Sequence, residues 1–212
     1  WKGEIPQRLA MGAYIPRMGP DNREPDFVLE NRDHVVNLNE NVPGRLHLTW
    51  KGADDLSARV WLSRRPGAIA LRVDARDNRH SQKNVPNQMW QGDSVQFAIS
   101  VPGQKGWWEI GLSANAQKRP MAFCWNRPAG MKDPTSKIQL SVTSLPGAKG
   151  LRYETLLPLA ALGLNERSLK DGFRFNLLVN DCDEDGREGW VEIAPGLGMD
   201  KDPLKFPVVV FE

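Results

Sequence analysis

The segment Trp90-Gln91-Gly92-Asp93-Ser94-Val95-Gln96-Phe97-Ala98-Ile99-Ser100 carries the clearest fold signal in this chain. Its second half alternates, with Val95, Phe97 and Ile99 on one side and the residues between them on the other. This period of two predicts a β-strand with one face on a core and one face open to solvent. Trp90 stands at the entrance of the strand, where an indole beside polar side chains suits a sugar-binding surface. The pattern equally allows Trp90 to cap the core.

The same alternation recurs along most of the chain, between turns rich in Gly and Pro. Further strands are predicted at residues 46–50, 58–62, 69–73, 108–112, 121–125, 138–142, 153–158, 173–179, 190–193 and 208–211. The turn Arg64-Arg65-Pro66-Gly67 predicts a hairpin. Helix is predicted only at residues 159–164, where Gly163 ends a turn or two. Many short strands with almost no helix predict an all-β fold, an antiparallel β-sandwich with immunoglobulin-like or jelly-roll-like layers.

Proline separates an irregular N-terminal part from this domain. Apolar runs are broken at Pro6, Pro16, Pro20, Pro25 and Pro43. We therefore predict that residues 1–26 are a Pro-rich N-terminal arm or linker and that residues 27–212 are the β-sandwich domain. The chain begins at Trp1 with no recognisable signal peptide, which is expected of a mature or excised segment.

Charge and composition argue against several classes of protein. The formal net charge is only +2 and the basic residues are scattered, so no nucleic-acid partner is predicted. No stretch approaches the roughly 18 apolar residues of a membrane helix, so no membrane span is predicted. Cys124 and Cys182 are an even number of cysteines, but their spacing leaves open whether they pair or remain two thiols.

The sequence lacks the common signals for catalysis. No Gly-x-Ser-x-Gly elbow is present, and no Gly-rich phosphate loop opens a helix. The histidines His34, His47 and His80 do not have the spacing of zinc ligands. We therefore predict that this domain is not itself an enzyme.

A long polar loop between residues 74 and 89 is a candidate metal site. Loops of this length in a compact domain are usually functional or fixed by other contacts. It carries Asp74, Asp77 and His80, and Asp93 follows it at the entrance of the next strand. We predict a structural Ca²⁺ site that includes Asp77 with Asp74 or Asp93, because calcium prefers several oxygen ligands. Ordinary loop polarity is the alternative.

A second acidic group, residues 181–186, resembles the start of a calcium loop. It has Asp at the first, third and fifth positions and Gly at the sixth. The twelfth position is Glu192, which lies in a predicted strand rather than at the start of a helix. A solvated acidic turn is therefore the preferred interpretation.

Four tryptophans lie opposite or beside the predicted core faces, namely Trp61, Trp90, Trp107 and Trp125. Indole faces provide apolar platforms for the C–H faces of sugar rings, and neighbouring polar side chains complete the contacts to the hydroxyl groups. A concave sheet face needs only one or two such rings to bind a glycan. Packing under the N-terminal arm is the alternative role for some of these rings.

Several short motifs, in this order, resemble the family 9 carbohydrate-binding module-like, DOMON-related β-sandwich. They are Trp50-Lys51-Gly52-Ala53-Asp54-Asp55-Leu56-Ser57-Ala58, Trp90-Gln91-Gly92-Asp93-Ser94-Val95-Gln96, Tyr153-Glu154, Leu157-Pro158, Val179-Asn180-Asp181, Gly186-Arg187 and Lys201-Asp202-Pro203-Leu204-Lys205-Phe206. The resemblance covers residues 27–212, which it makes a carbohydrate-binding-like domain.

The resemblance implies a non-catalytic, glycan-binding module of a secreted bacterial polysaccharide-processing protein. Such a module is secreted, or lies at the cell surface or in the periplasm, beside a glycoside hydrolase or lyase domain of the same polypeptide. Trp90 matches the first ring of a two-Trp sugar clamp, and Gln96 falls where a sugar-contacting Glu is found. Glu109 and Ser113 lie on the strand that supplies further polar contacts, and Asp77 matches an acid near a structural calcium ion.

One departure from the family pattern leaves a second function open. The second clamp Trp is missing, and Gly198-Met199-Asp200-Lys201 stands in its place. Trp107 and Trp125 are the candidates to replace it. The alternative is a structural or interdomain module that packs against a catalytic neighbour without binding sugar.

Overall fold

The computed structural model describes residues 9–11, 24–183 and 186–211. The strands in these residues are β1 (Leu9–Met11), β2 (Phe27–Leu29), β3 (Val35–Asn37), β4 (Leu56–Arg65), β5 (Ala68–Asp77), β6 (Ser94–Ser100), β7 (Trp108–Ala114), β8 (Pro120–Asn126), β9 (Gln139–Ser144), β10 (Leu151–Pro158), β11 (Phe173–Asp183), β12 (Gly186–Glu192) and β13 (Val208–Phe211). The α-helices are α1 (Leu159–Leu162) and α2 (Glu166–Asp171). Short 3-10 helices lie at Arg32–His34, Leu46–Leu48, Pro86–Gln91, Thr135–Lys137, Pro146–Ala148 and Pro203–Lys205.

The strands form two sheets that enclose the main hydrophobic core. The first sheet has the order β1-β13-β11-β6-β7-β8, and β12 pairs with both β11 and β3. The second sheet has the order β2-β4-β5-β10-β9. Neighbouring strands are antiparallel, except that β1 runs parallel to β13. The predicted antiparallel β-sandwich is confirmed. Within the described ranges, no helix is long and apolar enough to cross a membrane.

Strand β6 lies inside the first sheet and alternates between two faces as its sequence predicts, but the predicted solvent-open face is wrong, because Ser94, Gln96 and Ala98 on that face are buried as well. Val95, Phe97 and Ile99 are completely buried in the core between the sheets. Truncating a buried Phe to Ala typically costs about 3–5 kcal/mol, so Phe97 alone contributes a large share of the stability of a domain. Ser94 and Gln96 alternate with these residues. Because successive side chains of a strand point to opposite faces, β6 presents them on the outer face of the sheet.

Residues 46–50 differ from the predicted strand. They form the 3-10 helix Leu46–Leu48 followed by extended chain. The backbone N–H of Trp50 donates to Asn37 Oδ1 at 2.9 Å, and its indole N–H donates to the Leu56 carbonyl oxygen at 2.7 Å. Side chain–backbone bonds therefore hold this segment in place of sheet pairing.

The helical region is also larger than predicted. Gly163 follows α1 with a φ of 67°, the left-handed conformation that ends helices, as its sequence predicts. A second helix, α2, begins directly afterwards at Glu166. Asn165 caps it, because its side-chain oxygen accepts the backbone N–H of Ser168 at 2.9 Å. The Asn-x-x-Ser spacing was the available signal for this helix.

Two connections are shorter or more ordered than expected. Strand β5 continues to Asp77, and the 3-10 helix Pro86–Gln91 occupies the far end of the predicted polar loop. In the predicted arm, β1 pairs with β13 at the end of the first sheet. The rest of the predicted arm up to residue 23 lies outside the described residues.

Candidate functional site

The outer face of β6 and β7 brings together three of the predicted site residues. Gln96 lies on β6, and Glu109 and Ser113 lie on β7. Gln96 pairs with Gly111, whose missing side chain lets neighbouring residues pack close to the sheet. An added Cβ at Gly111 would overlap the Trp125 ring and lie 2.9 Å from the sulfur of Met89. Trp125 and Met89 therefore pack directly over the middle of the face.

Trp90 stands beside this face with 39% of its surface exposed. It belongs to the 3-10 helix Pro86–Gln91, in which its neighbour Met89 is completely buried and acts as the anchor. The guanidinium of Arg187 lies 5.2 Å from the centre of the Trp90 ring and 4.9 Å from that of Trp190. Both distances are typical of cation–π contacts. Arg187 therefore positions Trp90 and links it to a buried ring.

Arg187 is itself held in place from one side. Its Nη2 donates to Asn180 Oδ1 at 2.6 Å, and the Asn180 amide donates to Ser94 Oγ at 3.0 Å. The Nε of Arg187 is buried and has no hydrogen-bond partner among the described residues. Burial lowers the pKa of Arg187 to about 10, so the side chain remains charged at neutral pH.

The remaining polar residues of the face differ in their availability. Glu109 is mostly buried and accepts a hydrogen bond from the ammonium group of Lys201. Ser113 is buried, donates to the Asp93 carbonyl oxygen at 2.6 Å and accepts from Gln82 Nε2 at 3.2 Å. Ser113 therefore supports the loop before β6. Gln96 and Glu109 are only 5% and 7% exposed, so Lys201, whose side chain is 45% exposed, is the polar group of this face that solvent reaches most readily.

The structure separates the other tryptophans. Trp107 packs edge-on against Phe206 with the ring centres 5.6 Å apart, as part of a small apolar cluster on the outer face. Trp125 donates its indole N–H to the Asn87 carbonyl oxygen at 2.9 Å, which ties β8 to the helix that carries Trp90. Trp61 lies on the second sheet, where Arg72 stacks on it at 4.3 Å.

The position of the missing clamp ring is occupied by an exposed aliphatic side chain. Met199 is 70% exposed. The preceding Gly198 lies against the Trp190 ring, and the following Lys201 reaches Glu109. The loop is therefore anchored to the candidate face on both sides of Met199.

A first carboxylate cluster lies at one end of the sandwich. Asp77, His80 and Asp93 each offer a ligand atom, and these atoms lie within 4.8 Å of one another. Asp93 Oδ1 accepts the Cys182 N–H at 2.8 Å, and its Oδ2 accepts the Ser81 N–H. Burial raises the pKa of both aspartates, and the charge of Asp77 raises that of Asp93 further.

A second cluster consists of Asp55, Asp181 and Glu188, whose ligand atoms also lie within 4.8 Å of one another. All three residues are buried. Burial, reinforced by neighbouring carboxylates, raises the pKa of Asp181 to about 9, and burial raises that of Glu188 to about 7. The ammonium of Lys51 lies 3.7 Å from Glu188 Oε2, beyond hydrogen-bond distance.

Glu188 is the least satisfied group of this second cluster. The residue is only 2% exposed, and neither of its carboxylate oxygens has a hydrogen-bond partner among the described residues. A buried carboxylate without hydrogen bonds is unfavourable, because the ion pair with Lys51 at 3.7 Å replaces its lost hydration only in part. Three such oxygen donors at this spacing therefore fit a cation.

Asp74 does not join either cluster. Arg72 and Arg152 both bind its carboxylate, and the strand register places it beside Arg59 on the outer face of the second sheet. Burial alone would raise the pKa of Asp74, but the hydrogen bonds from the two arginines lower it below its ordinary value.

Cys124 and Cys182 are both free thiols, each with a pKa raised to about 11 by burial.

Sequence reasoning missed Arg187, Trp190, Asp55 and Glu188. Asp55 and Arg187 stood inside the motifs quoted above, and Trp190 in a predicted strand, but none of them was assigned a role at a site. Nothing in the local pattern indicated that Arg187 and Glu188, which are adjacent, contribute to two different sites. Their separation depends on an irregularity in the pairing of β11 with β12.

The two-sheet fold of this chain is similar to that of solved family 9 carbohydrate-binding modules. A module of this family from Caldicellulosiruptor kristjanssonii, in complex with glucose, matches with a TM-score of 0.56 and 15% identity, covering 74% of this chain and 77% of that chain. The cellotriose complex matches with a TM-score of 0.55 and 15% identity, covering 74% and 75%. A candidate carbohydrate-binding protein from Bacteroides uniformis matches with a TM-score of 0.51 and 16% identity, covering 74% and 78%. No protein-family profile and no curated protein sequence matches the chain.

Proposed function

We propose that this chain is a non-catalytic carbohydrate-binding module that binds glycan through Trp90 and polar side chains of the outer face of β6 and β7. The observation that carries the proposal is the half-exposed indole of Trp90, held by Arg187 beside that face. The fold is shared with modules whose structures contain glucose and cellotriose, which supports a saccharide as the ligand.

The chemistry of the face suits a sugar ring. The indole of Trp90 offers an apolar platform, and Gln96 and Glu109 offer amide and carboxylate groups for hydroxyl contacts at the small part of each, 5% and 7%, that is exposed. Lys201 supplies a donor that is already fixed by Glu109. Met199 replaces a second aromatic wall, so we expect weaker binding than a two-ring clamp gives, by about tenfold or more.

Affinity electrophoresis and calorimetry with cellotriose and a panel of bacterial and plant glycans test the proposal. Trp90→Ala is expected to weaken binding at least about tenfold, because it removes the platform. Trp61→Ala is the matched control, since Trp61 lies on the other sheet against Arg72. Unchanged affinity in Trp90→Ala, or an equal loss in both variants, contradicts the proposed site.

The module is proposed to belong to a secreted, cell-surface or periplasmic bacterial protein that processes polysaccharide. A glycoside hydrolase or lyase domain of the same polypeptide is the expected neighbour, because a non-catalytic module contributes by keeping such a domain near its substrate. Sequencing of the complete gene tests this: a parent protein with no polysaccharide-active domain contradicts it.

A structural or interdomain module is the second candidate function. It is favoured by Met199, which stands exposed where a second ring is missing, and by the cover that Arg187 gives to Trp90. In that case the exposed apolar side chains contact a neighbouring domain. Docking of the isolated module to its parent enzyme, without binding to any glycan of the panel, is the result that selects this function.

We also propose that the module binds structural Ca²⁺. The all-oxygen set Asp55, Asp181 and Glu188 fits the ion best, because calcium prefers oxygen ligands and Glu188 makes no hydrogen bond among the described residues. The first cluster, with the carboxylates of Asp77 and Asp93 and His80 beside them, is proposed to hold a further ion. At either site the cation would neutralise buried negative charge and thereby stabilise the end of the sandwich.

A further inference from the structure

The outer face of the second sheet carries a groove that the proposed glycan face does not use. Its volume is about 300 Å³, the lower end of the range for small-molecule sites. The charged residues that line it are Arg59, Arg76, Lys149, Arg152, Glu30 and Asp74. Four basic and two acidic side chains give a net charge of +2, as much as the whole chain carries.

The floor of the groove is organised around one carboxylate. Asp74 is the cross-strand partner of both Arg59 on β4 and Arg152 on β10. The Nε and Nη2 of Arg152 donate to its two oxygens at 2.8 and 2.9 Å, and those of Arg72 do so at 3.0 and 2.7 Å. Two guanidiniums share one carboxylate, so this trio is rigid and carries a net positive charge.

Arg59 and Arg76 are bound more loosely than this trio. The side chain of Arg59 is 62% exposed and lies 4.0 Å from Glu30, a distance typical of a weak surface ion pair. Arg76 pairs with Asp54, whose side chain is 84% exposed and therefore contributes little to holding it. The Nε of Arg76 is buried and has no hydrogen-bond partner among the residues described. Both guanidiniums are thus available to bind another anion.

We propose that this groove is a second ligand site, which binds a monosaccharide-sized anion through a carboxylate or sulfate group. Arginine suits both groups, because its planar guanidinium donates two parallel hydrogen bonds to them. The anion would lie between Arg59 and Arg76, against the fixed Arg152. The site is independent of the proposed glycan face, because the two lie on the outer surfaces of opposite sheets.

NMR titration of the whole chain tests the site with four probes: glucuronate, glucose 6-sulfate, inorganic sulfate and neutral glucose. Glucuronate or glucose 6-sulfate is expected to shift the resonances of β4, β5 and β10, and the better of the two identifies the group recognised. Arg59→Gln and Arg76→Gln are each expected to weaken that binding about tenfold, because a hydrogen bond to a charged group is lost. Binding is also expected to weaken with salt, since the site is open to solvent.

Two controls separate this site from general charge and from the glycan face. Arg167→Gln removes an exposed arginine on α2 and is expected to leave anion binding unchanged. Trp90→Ala is expected to do the same, even if it abolishes glycan binding. The proposal is overturned if neither acidic sugar binds, if Arg167→Gln weakens binding as much as Arg59→Gln, or if inorganic sulfate binds as tightly as the sugars.

Discussion

Removal of calcium by EDTA at neutral pH is expected to lower the melting temperature of this protein by several degrees. Glu188 is 2% exposed with no hydrogen-bond partner for either oxygen among the described residues, and Asp55 and Asp181 lie beside it. Lys51, with a half-exposed side chain, is the cation at ion-pair distance from this cluster in the described residues. Without a metal ion, Asp181, with its pKa raised to about 9, is protonated at neutral pH, and Glu188, with its pKa raised to about 7, is only partly ionised. Binding a cation at neutral pH therefore releases protons and replaces these buried acids by compensated carboxylates.

The size of the effect follows from mass action. An ion present at about 100 times its dissociation constant stabilises the native state by about 2.7 kcal/mol. For a chain of 150–250 residues, about 1 kcal/mol shifts the melting temperature by roughly 2–4 °C. Saturating Ca²⁺ is therefore expected to raise the midpoint by about 5–10 °C over the EDTA-treated protein, which differential scanning calorimetry measures directly.

The variant Glu188→Gln gives the sharpest test, because the two conditions change its stability in opposite directions. In EDTA it is expected to melt above the wild type, since a neutral amide replaces the buried charge and can donate to Asp181. In Ca²⁺ it is expected to melt below the wild type, because an anionic ligand is lost. Glu154→Gln, at an exposed acid on β10, is the matched control and should match the wild type in both conditions.

Two results would refute this reasoning. The first is a Glu188→Gln variant that responds to Ca²⁺ as strongly as the wild type, which would exclude the second cluster as a ligand set. The second is a wild-type midpoint that is unaffected by either reagent, in a sample that elemental analysis after denaturation shows to be free of metal. Metal found in that sample would instead indicate an ion that EDTA had failed to remove, and the comparison is then made after acid stripping.

Three further predictions concern other parts of the molecule. Gly111→Ala should lower the melting temperature and weaken glycan binding, because the added methyl overlaps the Trp125 ring while the backbone of Gly111, which lacks a positive φ, tolerates a side chain; an unchanged melting temperature would contradict that packing. Arg187→Met should shift the Trp fluorescence and weaken glycan binding, since Trp90 loses its cation–π partner; an unchanged spectrum would contradict that contact. Asp74→Asn should cost about 1–3 kcal/mol at pH 7 in urea unfolding. The pKa of Asp74 is lowered in the folded protein, so this stabilisation is present above its ordinary pKa of 3.8 and is lost as the pH falls further. The free energies of unfolding of wild type and variant should therefore converge in acid. A difference between them that stays constant with pH would contradict the prediction.

The sequence predicted the parts of the fold that depend on alternation alone. In β6 the period of two correctly assigned Val95, Phe97 and Ile99 to the core. The same argument placed Gln96 and Glu109 on one outer face, which the register of β6 with β7 brings together. It failed at residues 46–50, where Trp50 is held by hydrogen bonds to Asn37 and Leu56, because local alternation does not reveal bonds to distant partners.

The candidate site depends on one irregularity that no local pattern displays. Strand β11 pairs Asp181 with Gly189 and Cys182 with Arg187, so Glu188 is an extra residue in β12. Such a bulge reverses the alternation of the residues beyond it. Arg187 consequently shares a face with Trp190, three positions away, and reaches Trp90.

The same extra residue connects the two proposed binding functions. In a regular strand, Arg187 would point to the opposite face from Trp190, because residues three apart alternate. The bulge instead directs Arg187 outward to the glycan face and leaves Glu188 buried beside Asp55 and Asp181. A cation held by Glu188 would therefore fix the backbone next to Arg187 and so position Trp90. If this coupling exists, calcium and glycan must each raise the affinity of the protein for the other by the same factor.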